Sequence, residues 1–232
     1  VAKITEAAGV DFVIIDMEHS ANGIGAVGDL VAWFRATRVT PMVRIPDTEY
    51  HFIARVLDAG ALGIMVPRVD TPEQAQRAVE AARYPPEGRR GLAIGMAVTD
   101  YVYTSPAEYM PEANRNNLVM CQIETQTGLD NVDAIAALDG VDVLFLGQQD
   151  LSHSLGIVAE YQHPRFIEAL REITAAAKRH GKAAAAQPMN AGQAKEWIEL
   201  GFNVISWGAD LAVYELALKA AVEDLRRIED AG

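Results

Sequence analysis

The chain has 232 residues, half of them hydrophobic and 22% charged, so a sizeable core is affordable and the composition argues against disorder. Lys plus Arg is 20 and Asp plus Glu is 32, and the resulting net charge of -12 argues against nucleic acid or anionic membrane as a partner. A single cysteine, Cys121, excludes an intrachain disulfide, no apolar run approaches the ~18 residues of a membrane span, and no signal peptide is visible, so a cytoplasmic setting is expected.

The first helical pattern, residues 2–8, stops at Gly9. Phe12 to Ile15 form the core of a strand over 12–18, and Asp16, Glu18 and His19 crowd its end. A helix over 25–38 leads to the strand 41–46, with Arg44 near its end. A helix over 49–59, closed by Gly60, leads to the strand 63–69. Thr71-Pro72-Glu73 then opens a helix in the N-cap, Pro-at-N1 manner, running to about Arg83. Residues 84–117 break the rhythm with Pro, Gly, Asn and four Tyr; helical turns are expected around 106–116, and a loop of this length suggests specificity or an interface. LVMCQIET, from Leu118 to Thr125, is a strand apolar enough to be covered on both faces, and a helix over 127–138 follows. The remaining pattern is strand 142–147, helix 164–180, an alanine-rich strand 182–187, helix 191–200, strand 203–208 and helix 211–229.

Strand–helix alternation from end to end implies a parallel sheet with helical crossovers, and no repeat or linker divides residues 1–232 into a second domain. The expected fold is an α/β (β/α)8 TIM barrel. Only seven strands are visible, so the first would precede Val1 or hide near GLAIG at 91–95. An open doubly wound sheet is the alternative, but no Gly-rich dinucleotide fingerprint follows any strand.

In such a barrel, polar groups at the C-terminal strand ends converge on one site. Glu124 and Asp150 end consecutive strands, and two neighbouring carboxylates must share a proton or a cation. Oxygen ligands with room for water suit Mg²⁺ or Mn²⁺, and no zinc-type His or Cys spacing is present. Structural pairing of each carboxylate with an arginine is the competing account. His19 is the acid/base candidate because imidazole titrates near neutrality, with Asp16 three residues back to orient it; a structural His is the alternative. Arg44 is a cation for a carboxylate or oxyanion, or else a salt-bridge partner of Glu18 or Asp47. Trp207 either walls the site or packs in the core, and Cys121 reads as a core hydrophobe. Gly147 to Asp150 turns into a helix start with Ser152 near the N-cap, a place where backbone N–H groups hold anions. No Lys ends a strand, which disfavours imine chemistry.

The stretches FVIIDMEHS, MVRIPD, GALGIMVPRVDTPEQAQRAVEAARYPPEGRRG, QIET and GVDVLFLGQQDLSHSLG cover most of residues 9–156. In them the chain resembles the HpcH/HpaI aldolases, metal-dependent (class II) pyruvate aldolases with a barrel of the phosphoenolpyruvate/pyruvate type. The resemblance implies that Glu124 and Asp150 hold a divalent Mg²⁺, Mn²⁺ or Co²⁺ ion with no organic cofactor. It implies that His19 with Asp16 is the acid/base dyad and that Arg44 holds the pyruvate oxygen. Gln122 would line the pyruvate site; Gln149, Asp150 and Trp207 are substrate-contact candidates from their places at the strand ends. It further implies a homo-hexamer, a trimer of dimers, with the C-terminal helix exchanged between subunits. Where the family commonly carries GPxDLS, this chain has GQQDLS, with Gln148 in the proline position.

The expected reaction is reversible aldol cleavage of a 4-hydroxy-2-oxo acid to pyruvate and an aldehyde. Oxaloacetate decarboxylation with carbon–carbon bond formation, as in macrophomate synthase, would use the same enolate. A catalytically silent barrel used as a scaffold is the third reading.

Overall fold

Strands and helices alternate along the whole chain in the computed structural model, which describes residues 1–230. The strands are β1 (Phe12–Asp16), β2 (Thr40–Arg44), β3 (Gly63–Val66), β4 (Leu118–Ile123), β5 (Val143–Leu146), β6 (Ala183–Ala186) and β7 (Val204–Ile205). They form one parallel sheet in sequence order. Parallel neighbours need a crossover, and the helices supply it: α1 (Ala2–Ala7) precedes β1, then come α2 (Ile24–Arg35), α3 (Tyr50–Asp58), α4 (Pro72–Ala82) and α5 (Pro106–Asn116). After β4 come α6 (Gln126–Asp130), α7 (Val132–Ala136), α8 (Gln148–Ser154), α9 (Pro164–Arg179), α10 (Ala191–Glu199) and α11 (Asp210–Asp230).

Period-two alternation divides each strand between two cores. Val43, Ile64, Cys121, Leu144 and Ala184 belong to the large core that the helices cover. Met42, Met65, Met120, Phe145 and Ala185 form a second cluster on the other face of the sheet. Each fully buried Ile or Leu contributes about 1.5–3 kcal/mol. The methionines suit the inner cluster because an unbranched thioether fills irregular space. Cys121 is buried without exposure, and burial pushes its thiol far up, so it is a packing residue as expected.

The seven strands expected from the sequence are all present, and the sheet they form is TIM-barrel-like. Among the described residues the sheet has seven strands, with β1 and β7 as its edges and no ladder between them. The result is a curled, barrel-like half-shell. The edges show it physically: Phe12, Val13 and Ile14 are only half-buried, and β7 is two residues long. GLAIG at 91–95 forms no strand.

Two local expectations have clear outcomes. Thr71 caps α4 in a full capping box: its hydroxyl accepts from the Gln74 N–H at 3.3 Å, and the Gln74 side chain accepts from the Thr71 N–H at 3.0 Å. Ser152 is not at an N-cap; Gly147 holds that place in α8, and the Ser152 hydroxyl donates to the Gln149 carbonyl instead.

The 84–117 segment joins α4 to β4, so it lies at the N-terminal rim of the strands. Buried Arg83 ties it there, donating to the Asn114 and Asn117 carbonyls and to Asp142 at 2.9 Å, just before β5. Arg90 pairs with Asp58 at 2.7 Å and lies 4.7 Å over the Tyr84 ring. Within one chain this segment is therefore at the opposite end from the strand termini that carry Glu124, and it serves stability rather than specificity there.

Candidate active site at the carboxyl ends of the strands

Asp16 and Arg44 are register partners at the ends of β1 and β2. Their side chains meet as a bidentate pair: Arg44 Nε donates to Asp16 Oδ1 at 2.8 Å and Nη2 to Oδ2 at 2.6 Å. Arg44 Nη1 also lies 3.2 Å from Glu18 Oε2. Burial pushes the Asp16 carboxyl upward, but the guanidinium and the Glu18 N–H outweigh it, and its pKa is lowered. Burial likewise opposes charge on Arg44, and Asp16, Glu18 and Glu124 outweigh it.

Asp16 does not reach the His19 ring. It accepts only from the His19 backbone N–H, at 3.4 Å. The chain turns sharply after β1, and the carboxylate beside the ring is Glu18, whose Oε2 is 3.7 Å from Nε2. The expected Asp16–His19 dyad is thus replaced by an Asp16–Arg44 pair and a Glu18–His19 pair. Glu18, named at this strand end in the sequence, is also the salt-bridge partner of Arg44 that the sequence offered; Asp47 is not.

Glu124 stands just past β4 and is 3% exposed. The Arg68 N–H donates to its Oε1 at 2.6 Å and Gln122 Nε2 to its Oε2 at 2.7 Å. Burial raises its pKa to about 7; the Arg68 N–H works against this, while the charges of Glu18 and Asp150 reinforce it. Gln122 is buried, with Oε1 unpaired. Gln149 and Asp150 are exposed in the first turn of α8. Glycine at 147 is a steric requirement: a Cβ there would lie 2.5 Å from both Cβ and Oε2 of Glu124. Sequence reading did not single out that contact, which needs β4 and β5 already paired.

Gln148 supplies a contact that proline could not. Its Nε2 donates to the Gln187 carbonyl at 2.6 Å, and Gln187 Nε2 donates to the Gly208 carbonyl at 2.9 Å. The two amides link the ends of β5, β6 and β7. Trp207, between those ends and α11, is 57% exposed, so it is not a core residue.

Among the described residues no group of three or more His, Cys, Asp or Glu is arranged as a metal cage. Two carboxylates plus water and substrate oxygens nevertheless fit a hard divalent ion, which seldom uses an all-protein cage. Burial is the main cause of the raised Glu124 pKa, and the negative charges of Glu18 and Asp150 add to it; a cation would relieve that charge. Gly147→Ala should push the Glu124 carboxylate aside and lower both activity and Mg²⁺ affinity by about 10–100-fold. Unchanged values in kinetics and calorimetry would show that Glu124 tolerates the shift.

The model of the HpcH/HpaI aldolase/citrate lyase family matches residues 1–216. The 5-keto-4-deoxy-D-glucarate aldolase of Klebsiella pneumoniae is 34% identical over 225 residues, covering 97% of this chain and 87% of its own. The crystal structure of an HpcH/HpaI aldolase from Desulfitobacterium hafniense superposes with a TM-score of 0.92 at 32% identity, over 97% of this chain and 87% of that one. Macrophomate synthase superposes with a TM-score of 0.85 at 26% identity, over 100% and 82%.

Proposed function

We propose a specific reaction on one premise: the chain belongs to the HpcH/HpaI aldolase/citrate lyase family and is a carbon–carbon lyase of the aldolase kind. The reaction is reversible aldol cleavage of a 4-hydroxy-2-oxo acid to pyruvate, or a close analogue, and an aldehyde. The observation that carries it is Glu124, a buried carboxylate at the end of β4 with its pKa raised to about 7 beside Glu18 and Asp150. Glu124 and Asp150 would hold a divalent ion, Mg²⁺, Mn²⁺ or Co²⁺, which supplies Lewis-acid stabilisation of an enolate oxygen.

The chain's own groups divide the remaining work. Arg44, fixed by Asp16, presents positive charge at the strand ends toward a developing oxyanion. Gln122 offers its unpaired Oε1 and orients Glu124. His19 is exposed enough to exchange protons with a water, and it takes or returns the proton of the 4-hydroxyl. Gln149 and Trp207 stand at the rim, where the aldehyde half would leave. The lysine count supports the same chemistry: Lys182 lies before β6, at the far rim, where its Nζ donates to the Leu138 carbonyl.

Chelator should reduce turnover of pyruvate with an aldehyde at least ~100-fold, and Mg²⁺, Mn²⁺ or Co²⁺ should restore it. Chelator-resistant turnover with borohydride trapping of a lysine would sink the proposal. The likeness to macrophomate synthase favours a second reading, decarboxylation of oxaloacetate through the same enolate. A kcat/KM for oxaloacetate well above that for a hydroxy-oxo acid would select it.

A homo-oligomer is part of the proposal, specifically a hexamer built as a trimer of dimers. Leu211, Tyr214, Leu218 and Leu225 on α11 are all at least half exposed, an apolar stripe at helical spacing. In the proposed assembly α11 is exchanged and covers this stripe on a second copy. Leu218→Glu should lower the mass seen by light scattering; an unchanged hexamer would place the interface elsewhere.

A further inference from the structure

We propose that Asp70 and Thr125 are positioning residues for Glu124: the bond between their side chains locks the turn after β3, so that the Arg68 N–H holds Glu124 in one orientation. The inference rests on the reading above that Glu124 holds a metal ion; the lock itself is argued from the backbone and its hydrogen bonds.

The turn begins with a slip in the sheet. β3 and β4 run in register up to Val66 and Cys121. An unbroken parallel ladder would next have Arg68 donate to the Gln122 carbonyl. Val69 makes that bond instead, at 3.2 Å. One extra residue therefore lies in the turn, as in a β-bulge, a feature that re-aims groups beside active sites. The group set free here is the Arg68 N–H, and it donates to Glu124 Oε1 at 2.6 Å. To do so Arg68 takes a φ of 51°, in the left-handed region that long side chains rarely adopt. Such a conformation persists only where the surroundings over-determine it.

Asp70 supplies that constraint. Its carboxylate Oδ1 accepts from the Thr125 hydroxyl. Its carbonyl accepts from Asn131 Nδ2 at 2.8 Å, and its N–H donates to Gln74 Oε1 at 2.7 Å. Thr125 directly follows Glu124, so the contacts close a ring. Glu124 is joined to Arg68 by the backbone N–H, and the turn returns to Thr125 through the Asp70 side chain. Val69, between them, is buried, and Asp70 and Thr125 are half-buried, so water competes weakly for their bond. The turn is also pressed onto α6: a Cβ at Gly128 would lie 2.6 Å from the Val69 carbonyl oxygen.

Helix capping does not account for the bond. Thr125 caps α6 by accepting from the Gly128 N–H at 2.9 Å, which leaves its own proton free to point elsewhere. The capping box of α4 is complete with Thr71 and Gln74. The Asp70 carboxylate is required by neither helix, and what it adds is a tie between the ends of β3 and β4. Gln122 Nε2 holds Glu124 Oε2 from within β4, and the locked turn holds Oε1 from β3. A carboxylate fixed at both oxygens meets an ion already ordered, and partners behind a ligand typically set about 10–100-fold of its affinity.

Asp70→Ala and Thr125→Val should each lower Mg²⁺ affinity about tenfold in calorimetry. In a Thr125→Val background Asp70→Ala should add almost nothing, because the bond is already gone. Asp70→Asn keeps an acceptor for the Thr125 hydroxyl and should retain most of the affinity. Hydrogen exchange followed by mass spectrometry reads the turn in the metal-free protein. Amides of residues 67–70 should exchange about tenfold faster in Asp70→Ala and in Thr125→Val, while those of α9 keep the parent's rate. Unchanged exchange at 67–70, unchanged affinity or additive losses would overturn the positioning role. Faster exchange along the whole chain would also overturn it, since that marks general destabilisation. The two readings fail separately. A parent that binds no Mg²⁺ sinks the metal-dependent reaction, and exchange at 67–70 then still decides whether Asp70 holds the turn on Glu124. A parent whose Mg²⁺ affinity is insensitive to Asp70 leaves the reaction standing and sinks the positioning role.

Discussion

Glu124→Gln should lower kcat/KM by about 10³-fold, because it removes a ligand whose ion stabilises transition-state charge by several kcal/mol. Calorimetry should show Mg²⁺ affinity falling with it. A variant that keeps both values would remove Glu124 from the site. The substitution is otherwise mild. The new amide oxygen can still accept from the Arg68 N–H. Its NH₂ would meet Gln122 Nε2, and rotating the Gln122 amide brings the unpaired Oε1 round as an acceptor.

The same residue makes a pH prediction whose sign is opposite to that of an ordinary paired carboxylate. The folded pKa of Glu124 is raised from 4.5 to about 7. Its contribution to stability is fully present below its unfolded value and is lost as pH rises through about 7. Without metal at pH 8, Glu124→Gln should therefore be more stable than the parent, by up to about 3 kcal/mol. The difference should vanish near pH 4.5. Thermal melts of the metal-free proteins check this; a destabilised variant at pH 8 would contradict it. Because the ion competes with a proton, Mg²⁺ affinity should rise about tenfold per pH unit below 7 and level off above it.

Much of this site can be read from the sequence because β-strand alternation is local. The apolar run before Glu124 fixes a buried strand, and the period of two puts Gln122 and Glu124 on one side. The same rule pairs Asp16 with Arg44 only once β1 and β2 are in register, and that register is a tertiary fact. Sequence spacing alone favoured the nearer His19, three residues away, over Arg44, 28 residues away. The 84–117 segment is a different case. Its place at the N-terminal rim follows from chain order, since it joins a helix to a strand; composition drew it toward specificity although topology opposed that. Arg68 and Gly147 were visible as a strand-end cation and a turn glycine, but not what their backbones do. Positive φ and a 2.5 Å approach arise where three strands meet, and no residue pattern announces them. The seven strands were countable because each is an apolar run bounded by turn residues, whereas closure of the sheet depends on how its two half-buried edges meet, which no local pattern gives.

Arg44→Met should be the second severe change, lowering kcat/KM about 10²–10³-fold by removing a cation that faces developing charge. It also abandons two carboxylates. Asp16 loses both of its short contacts, and Glu18 loses the 3.2 Å contact to Nη1. The side chains of Asp16 and Arg44 are 29% and 19% exposed, so water softens the loss, and the stability cost should be about 2 kcal/mol. Arg44→Lys should recover little, because an ammonium cannot span both Asp16 oxygens while reaching Glu18. The cycle with Asp16→Asn separates positioning from catalysis. If Asp16 acts only by holding Arg44, Asp16→Asn should lower kcat/KM in the parent but have almost no further effect in Arg44→Met. If Asp16 instead serves His19, as the chain spacing first suggested, its removal should cost as much in both backgrounds and should move the alkaline limb of the pH–rate profile. Additive losses would restore the dyad; a loss confined to the parent would keep Asp16 as the residue that positions Arg44.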